Sequence, residues 1–138
     1  MELSVTQDNL AKALSAVGRV ASSKTQLPIL GNILLRTDSN RLLVAATNLE
    51  MATTQYIGAK VIKPGAITVP ARLISEFISN LPKESVDLKV INSNLHIKSG
   101  KYTSIINGAI ADDFPELPTI NEESSISYNI KTEDFKQA

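Results

Sequence analysis

Apolar and polar positions change their period several times along the chain, and each change marks an element. Leu3 and Val5 alternate with polar neighbours over Glu2–Thr6, the two-residue period of a strand. Leu10, Leu14, Val17 and Ala21 then recur at spacings of four and three, which predicts an amphipathic helix. Thr6 stands where its hydroxyl would cap that helix, and Asp8 and Asn9 fall in the first turn, near the positive end of the dipole. Gly18 loosens the helix end, and SSKTQLP reads as a loop closed by Pro28. Strand-like runs follow at 32–37, 42–47 and 51–57, the first two joined by the tight turn DSN. The KPG run at 63–65 breaks the chain.

The pattern then starts again. AITV is a short strand, and Pro70 sits at the first turn of a helix, where a missing N–H costs nothing. Leu73, Ile74, Phe77, Ile78 and Leu81 are its expected buried stripe, and Pro82 stops it. Strands at 86–91, 95–98 and 102–107 come next, with turns NSN and SGK. Both halves read strand, helix and three strands, so the expected fold is α+β: two helices on one face of antiparallel sheet in a β-α-β-β-β pseudo-repeat. ADDFPELPTINEESS, from 111 to 125, is acidic and Pro-punctuated as a linker is. After it SISYNI alternates like a strand and TEDFKQA opens a helix. NIKTEDFKQA matches SVTQDNLAKA near the start in kind. A third copy of the unit is therefore expected to begin after the linker and to be cut short.

Composition narrows this only a little. At 138 residues, with 43% hydrophobic and 20% charged, the chain has room for one globular domain and little more. It has no cysteine, which excludes a disulfide scaffold, a thiolate metal site and a cysteine nucleophile. The first residues, MELSVTQDNLAK, show neither a basic leader nor an apolar stretch, so no signal peptide is expected. Apolar runs such as AITVPA and NILL are far too short to cross a bilayer, and no membrane partner is expected. Formal net charge is zero, which argues against a basic nucleic-acid binder at large but allows basic groups gathered on one face.

Candidate chemistry is sparse. Asp112, Asp113 and Glu116 are the obvious metal ligands or acid/base pair, but carboxylates in a Pro-rich surface segment are usually solvated, with Phe114 and Leu117 anchoring the turn. His96 is the only histidine and alternates with Leu95 and Ile97, so it points away from the buried side. No Ser/His/Asp set can be assembled around it. Neither GxxxxGK[ST] nor GxGxxG occurs, so nucleotide phosphate binding has no support. The helices say more. Opposite its apolar stripe the first carries Asp8, Lys12, Ser15 and Arg19, followed by Lys24 in the loop. The second carries Arg72, Ser75, Glu76, Ser79 and Asn80. These are either ordinary solvated faces or one gently basic surface that touches phosphates without reading bases.

LPILGNILL (27–35), ATNLEM (46–51), GAITVPAR (65–72) and ADDFPELP (111–118) together resemble the first domain of the bacterial DNA polymerase III beta subunit, the sliding-clamp family. The resemblance runs in unbroken order from residue 1 to about 118, and four ordered blocks are a specific signal. It implies a DNA-clamp-like domain at 1–118, a linker at 119–125, and a truncated start of a second clamp domain at 126–138. Members of the family carry three such domains, and two subunits close head-to-tail around duplex DNA, helices inward and sheets outward. The implied role is a non-catalytic processivity factor in the cytoplasm, with no cofactor. Its implied partners are the backbone of duplex DNA, a second clamp subunit, the DNA polymerase III catalytic subunit and the clamp loader.

Residue by residue, the resemblance places Lys24 in the loop before LPILGN, where the family has a basic residue near DNA, and Arg72 at the Arg of the VPAR block. Lys12 and Arg19 follow from the helical face. KYTSIIN matches the edge that meets the third domain of a neighbouring subunit, with Lys101, Ser104 and Ile106 at positions of that contact. The family presents a bulkier aromatic or basic set there than Thr103 and Ser104. Its pocket for polymerase and loader peptides lies in the second and third domains, so no residue of this chain is assigned to it. The alternative from another class is a stand-alone clamp-derived domain that acts through an exposed edge strand.

Overall fold

Thr6 closes one strand and opens a helix, and the two roles fix the start of the fold. In a computed structural model, which describes residues 1–21, 27–119 and 121–137, β1 is Glu2–Thr6 and α1 is Gln7–Gly18. Thr6 keeps an extended backbone, and its hydroxyl accepts from the Asn9 N–H at 3.4 Å, the expected cap. The helix ends earlier than the periodicity implies: Ala21 lies beyond it, half-buried.

After a short 3-10 turn at Pro28–Gly31 come β2 (Asn32–Asp38), β3 (Arg41–Thr47) and β4 (Ala52–Gly58). The sequence pattern missed β5 (Lys60–Lys63), which follows directly. Its four residues carry lysine at both ends and leave no alternation to read. The second unit is β6 (Ala66–Pro70), α2 (Ala71–Ser79), β7 (Ser85–Ile91), β8 (Asn94–Ser99) and β9 (Tyr102–Asn107). Asn92 and Ser93 both take positive φ between β7 and β8, as a two-residue hairpin turn matched to strand twist requires.

The expected antiparallel strands form two sheets, ordered β5-β1-β7-β8-β9 and β4-β3-β2-β6. Each unit's leading strand completes the other unit's sheet: β1 pairs with β7, and β6 with β2. That exchange ties the repeats into one domain. The registers correspond: Thr6 faces Ser85 as Pro70 faces Asn32, and both open helices. Leu10, Leu14 and Val17 thus match Ile74, Ile78 and Leu81. All six are buried, each contributing about 1.5–3 kcal/mol. The helices lie antiparallel. Gln7 at the start of α1 reaches Ile78 and Glu84 at the far end of α2, whereas Gly18 approaches Ser75. Their stripes join the inner faces of both sheets in one core, including Leu3, Val5, Ile33, Leu35, Val86 and Leu88.

The outer faces differ. Leu34, Leu43 and Ala45 on the second sheet are covered by Phe114, which follows a 3-10 turn at Ala111–Asp113. The matching positions on the first sheet are Asp87, His96 and Lys98. The segment after β9 is thereby directed to one sheet only, where Ala109 also bridges Thr68. Leu73 departs from the expected stripe of α2 and is 54% exposed, while Phe77 is half-buried. Its counterpart on α1 is Asn9, a surface position. SISYNI forms no strand in the structure, although α3 (Thr132–Gln137) is helical as expected. Residues 121–137 are exposed throughout.

Candidate nucleic-acid interface

Helical periodicity sends Lys12, Ser15 and Arg19 outward from α1, and Arg72, Glu76, Ser79 and Asn80 outward from α2; all are exposed. Ser75 is half-buried where the helices meet. Because the helices run antiparallel, the C-terminal end of α1 and the N-terminal end of α2 share one end of the pair. Gly18, Ala21, Gly31, Ala71, Arg72 and Ser75 line a hollow of about 310 Å³ there. Arg19 follows the last residue of α1, where a cation suits the carbonyl end of the dipole. Lys24, the fourth expected DNA contact, lies outside the described residues.

The cations are not equivalent. Lys12 Nζ is 2.7 Å from Asp8 Oδ2, one helical turn back, in an exposed pair. The Lys12 ammonium hydrogen-bonded to Asp8 holds that carboxyl below its ordinary range. No carboxylate lies within ion-pair distance of Arg19 or Arg72 among the described residues. Both guanidiniums are therefore available to an anion, whereas Lys12 must first leave Asp8. Contacts from a guanidinium to phosphate oxygens position a duplex without reading its bases.

The expected subunit edge has a different character. Lys101 sits in the turn before β9, Ser104 is half-buried, and Ile106 is buried beneath the strand as part of the core. The strand is an open edge of its sheet. Beside it Pro70, Leu73, Phe77, Ile105 and Ile106 line a hollow of about 590 Å³ between α2 and β9. Leu73 and Phe77 were expected in the buried stripe of α2 and Ile105 carried no expectation, so none of the three was read from the sequence as part of this edge. The signal was present in the wider apolar stripe of α2, where α1 has Asn9 and Ala13.

Asp112 and Asp113 are exposed on the 3-10 turn, Glu116 is exposed beyond it, and Phe114 anchors the segment. Among the described residues no group of three or more His, Cys, Asp or Glu could hold a metal ion. His96 is half-buried on the outer face of its sheet, between Lys89 and Ile105. No helix among the described residues is long and apolar enough to cross a membrane.

The model of the DNA polymerase III beta subunit N-terminal domain matches residues 1–118. The chain belongs to that family. The beta sliding clamp of Synechococcus elongatus is 34% identical over 132 residues, spanning 91% of this chain and 34% of that protein. That of Bacillus subtilis is 31% identical over 135 residues, spanning 91% and 36%. The crystal structure of the Bacillus subtilis DNA polymerase sliding clamp superposes with TM-score 0.85 at 28% identity, over 88% of this chain and 34% of that one. Caulobacter crescentus pol III beta gives 0.82 at 33%, over 86% and 32%. The chain thus spans about a third of the length of these clamp relatives.

Proposed function

We propose that this chain is the N-terminal part of a bacterial replication clamp, a non-catalytic processivity factor that tethers the replicative polymerase to duplex DNA. Residues 1–118 form its first domain, 119–125 the linker and 126–138 the start of the next. The observation that supports this best is the pair of antiparallel helices with uncommitted Arg19 and Arg72 at one end, in a chain of this family. Arg19, Arg72, Lys12 and Lys24 take backbone phosphates. A few weak contacts that ignore sequence suit a protein that must slide.

The β9 edge, with Lys101 and Ser104 and the backbone of Ile106, takes the partner subunit, and the hollow lined by Leu73 and Phe77 receives its apolar side chains. The polymerase catalytic subunit and the clamp loader bind through the rest of the longer protein, in the cytoplasm. The Helicobacter pylori beta clamp, a structural neighbour, was solved bound to a DNA ligase peptide.

Fluorescence anisotropy with a labelled duplex tests the DNA face. Weak binding is expected, with log K falling against log salt at about −0.9 per cation engaged. Arg72→Ala should weaken it equally on unrelated sequences. Tight, sequence-selective binding would refute the proposal.

A further inference from the structure

We propose that Asn107 is a latent modification site: it deamidates through a succinimide formed with Gly108, and the docked segment behind it holds that reaction off. Asparagine is chemically labile, above all before glycine, which has no side chain to shield the attacking nitrogen. Of the asparagines in this chain only Asn107 precedes a glycine. It is the last residue of β9 and is exposed.

The step is an internal acyl transfer. The Gly108 backbone nitrogen gives its proton to hydroxide and attacks Asn107 Cγ. The N–Cγ bond forms, the bond from Cγ to the side-chain nitrogen breaks, and ammonia leaves. Water then opens the ring at one of its two carbonyls. One product is aspartate. The other is isoaspartate, whose main chain runs through the former side chain and gains a methylene. Water and hydroxide are the only co-reactants, so the reaction asks nothing of any partner at β9.

The fold blocks the attack in two ways. The Gly108 N–H donates to the Ser93 carbonyl at 2.9 Å, so the nucleophile is engaged. Asn107 is held extended against Asn94, and it must turn out of that strand conformation before the Gly108 nitrogen meets Cγ. The turn would swing everything that follows. Ala109 donates to the Thr68 carbonyl at 2.9 Å and accepts from the Thr68 N–H at 3.1 Å, while Phe114 is buried on Leu34, Leu43 and Ala45. Deamidation therefore waits for the segment after β9 to lift, and its rate follows the population of that local opening. Isoaspartate makes the opening permanent. Gly108 lies so close to β6 that an added methyl would stand 2.5 Å from Ile67 Cδ1, which leaves no slack for a lengthened main chain.

Incubating the full 138-residue chain at mildly alkaline pH, then measuring the amide and acid forms of the peptide around Asn107 by mass spectrometry, tests it. The same chain in guanidinium is the unfolded reference. The folded wild type should react at least about 100-fold more slowly than that reference. Phe114→Ala should speed the reaction about tenfold or more while β3 amides stay protected. Leu117→Ala, a milder loss on the same segment, should speed it less, and it decides the matter if Phe114→Ala unfolds. The purified isoaspartate form should have lost protection at the Ala109 amide. Folded wild type that reacts as fast as the unfolded reference overturns the inference. So do folded segment variants no faster than wild type, and an isoaspartate form whose Ala109 amide stays protected.

Discussion

The side-chain amide of Gln7 donates a buried 2.8 Å hydrogen bond to the carbonyl oxygen of Ile78, pinning the first turn of α1 to the last turn of α2. The same residue's backbone N–H donates to the carbonyl of Glu84 at 2.9 Å, so one position holds both helices and the loop that leaves them. Gln7→Ala removes only the side-chain bond. The Ile78 carbonyl still accepts from the Leu81 N–H, so it is not stranded. The expected cost is about 1 kcal/mol, read as a lower urea midpoint at unchanged slope.

Phe114 is the anchor of the segment laid over the second sheet, packed on Leu34, Leu43 and Ala45. Phe114→Ala should cost about 3 kcal/mol, the low end for a buried aromatic, because the site opens to solvent when the segment lifts. Hydrogen exchange should show the Ala109 N–H, which donates to the Thr68 carbonyl, losing protection while β3 keeps its own.

Gly108 is constrained by space. A methyl group there would lie 2.5 Å from Ile67 Cδ1 and 2.8 Å from the Thr68 carbonyl oxygen. Backbone cannot yield as a side-chain tip does. Gly108→Ala should destabilise by about 1–3 kcal/mol, visible as a lower thermal midpoint.

The ion pair of Asp8 and Lys12 makes a signed prediction. Pairing lowers the carboxyl below its ordinary 3.8, so the pair stabilises the fold above the unfolded carboxyl pKa. That contribution fades as pH falls through the lowered folded value. The side chain is exposed, and the effect on stability is small. NMR titration should place the Asp8 midpoint below 3.8, returning towards it in Lys12→Ala. Asp8→Asn frees Lys12 and should tighten duplex binding at low salt, with the gain erased as salt rises.

Much of this was legible in the chain because local pattern decides it. Leu10, Leu14 and Val17 give α1 its period, Thr6 its cap and Tyr102–Asn107 its strand, each within a few residues. What was not legible depends on partners far away in sequence. The exchange of β1 and β6 between units is fixed by registers such as Val5 with Val86 and Ile33 with Val69, which no local signal reports. Leu73 reads as core because helical spacing places it beside Ile74. In the fold it borders the hollow between α2 and β9 and is exposed. At the candidate interface the outward direction of Lys12, Arg19 and Arg72 followed from periodicity, but the commitment of Lys12 to Asp8 needed side-chain geometry.

The central claim is that the paired outer faces of α1 and α2 lie along the backbone of duplex DNA and ignore its sequence. The most direct measurement is a titration of the isotopically labelled chain at low salt with two duplexes of unrelated sequence, followed by amide and arginine side-chain shifts. The account predicts the same small, fast-exchanging shifts with both duplexes, centred on Arg19, Arg72 and the end of the helix pair they share, and collapsing as salt is raised. Shifts centred on the outer faces of the sheets, or a pattern that changes with DNA sequence, would contradict it.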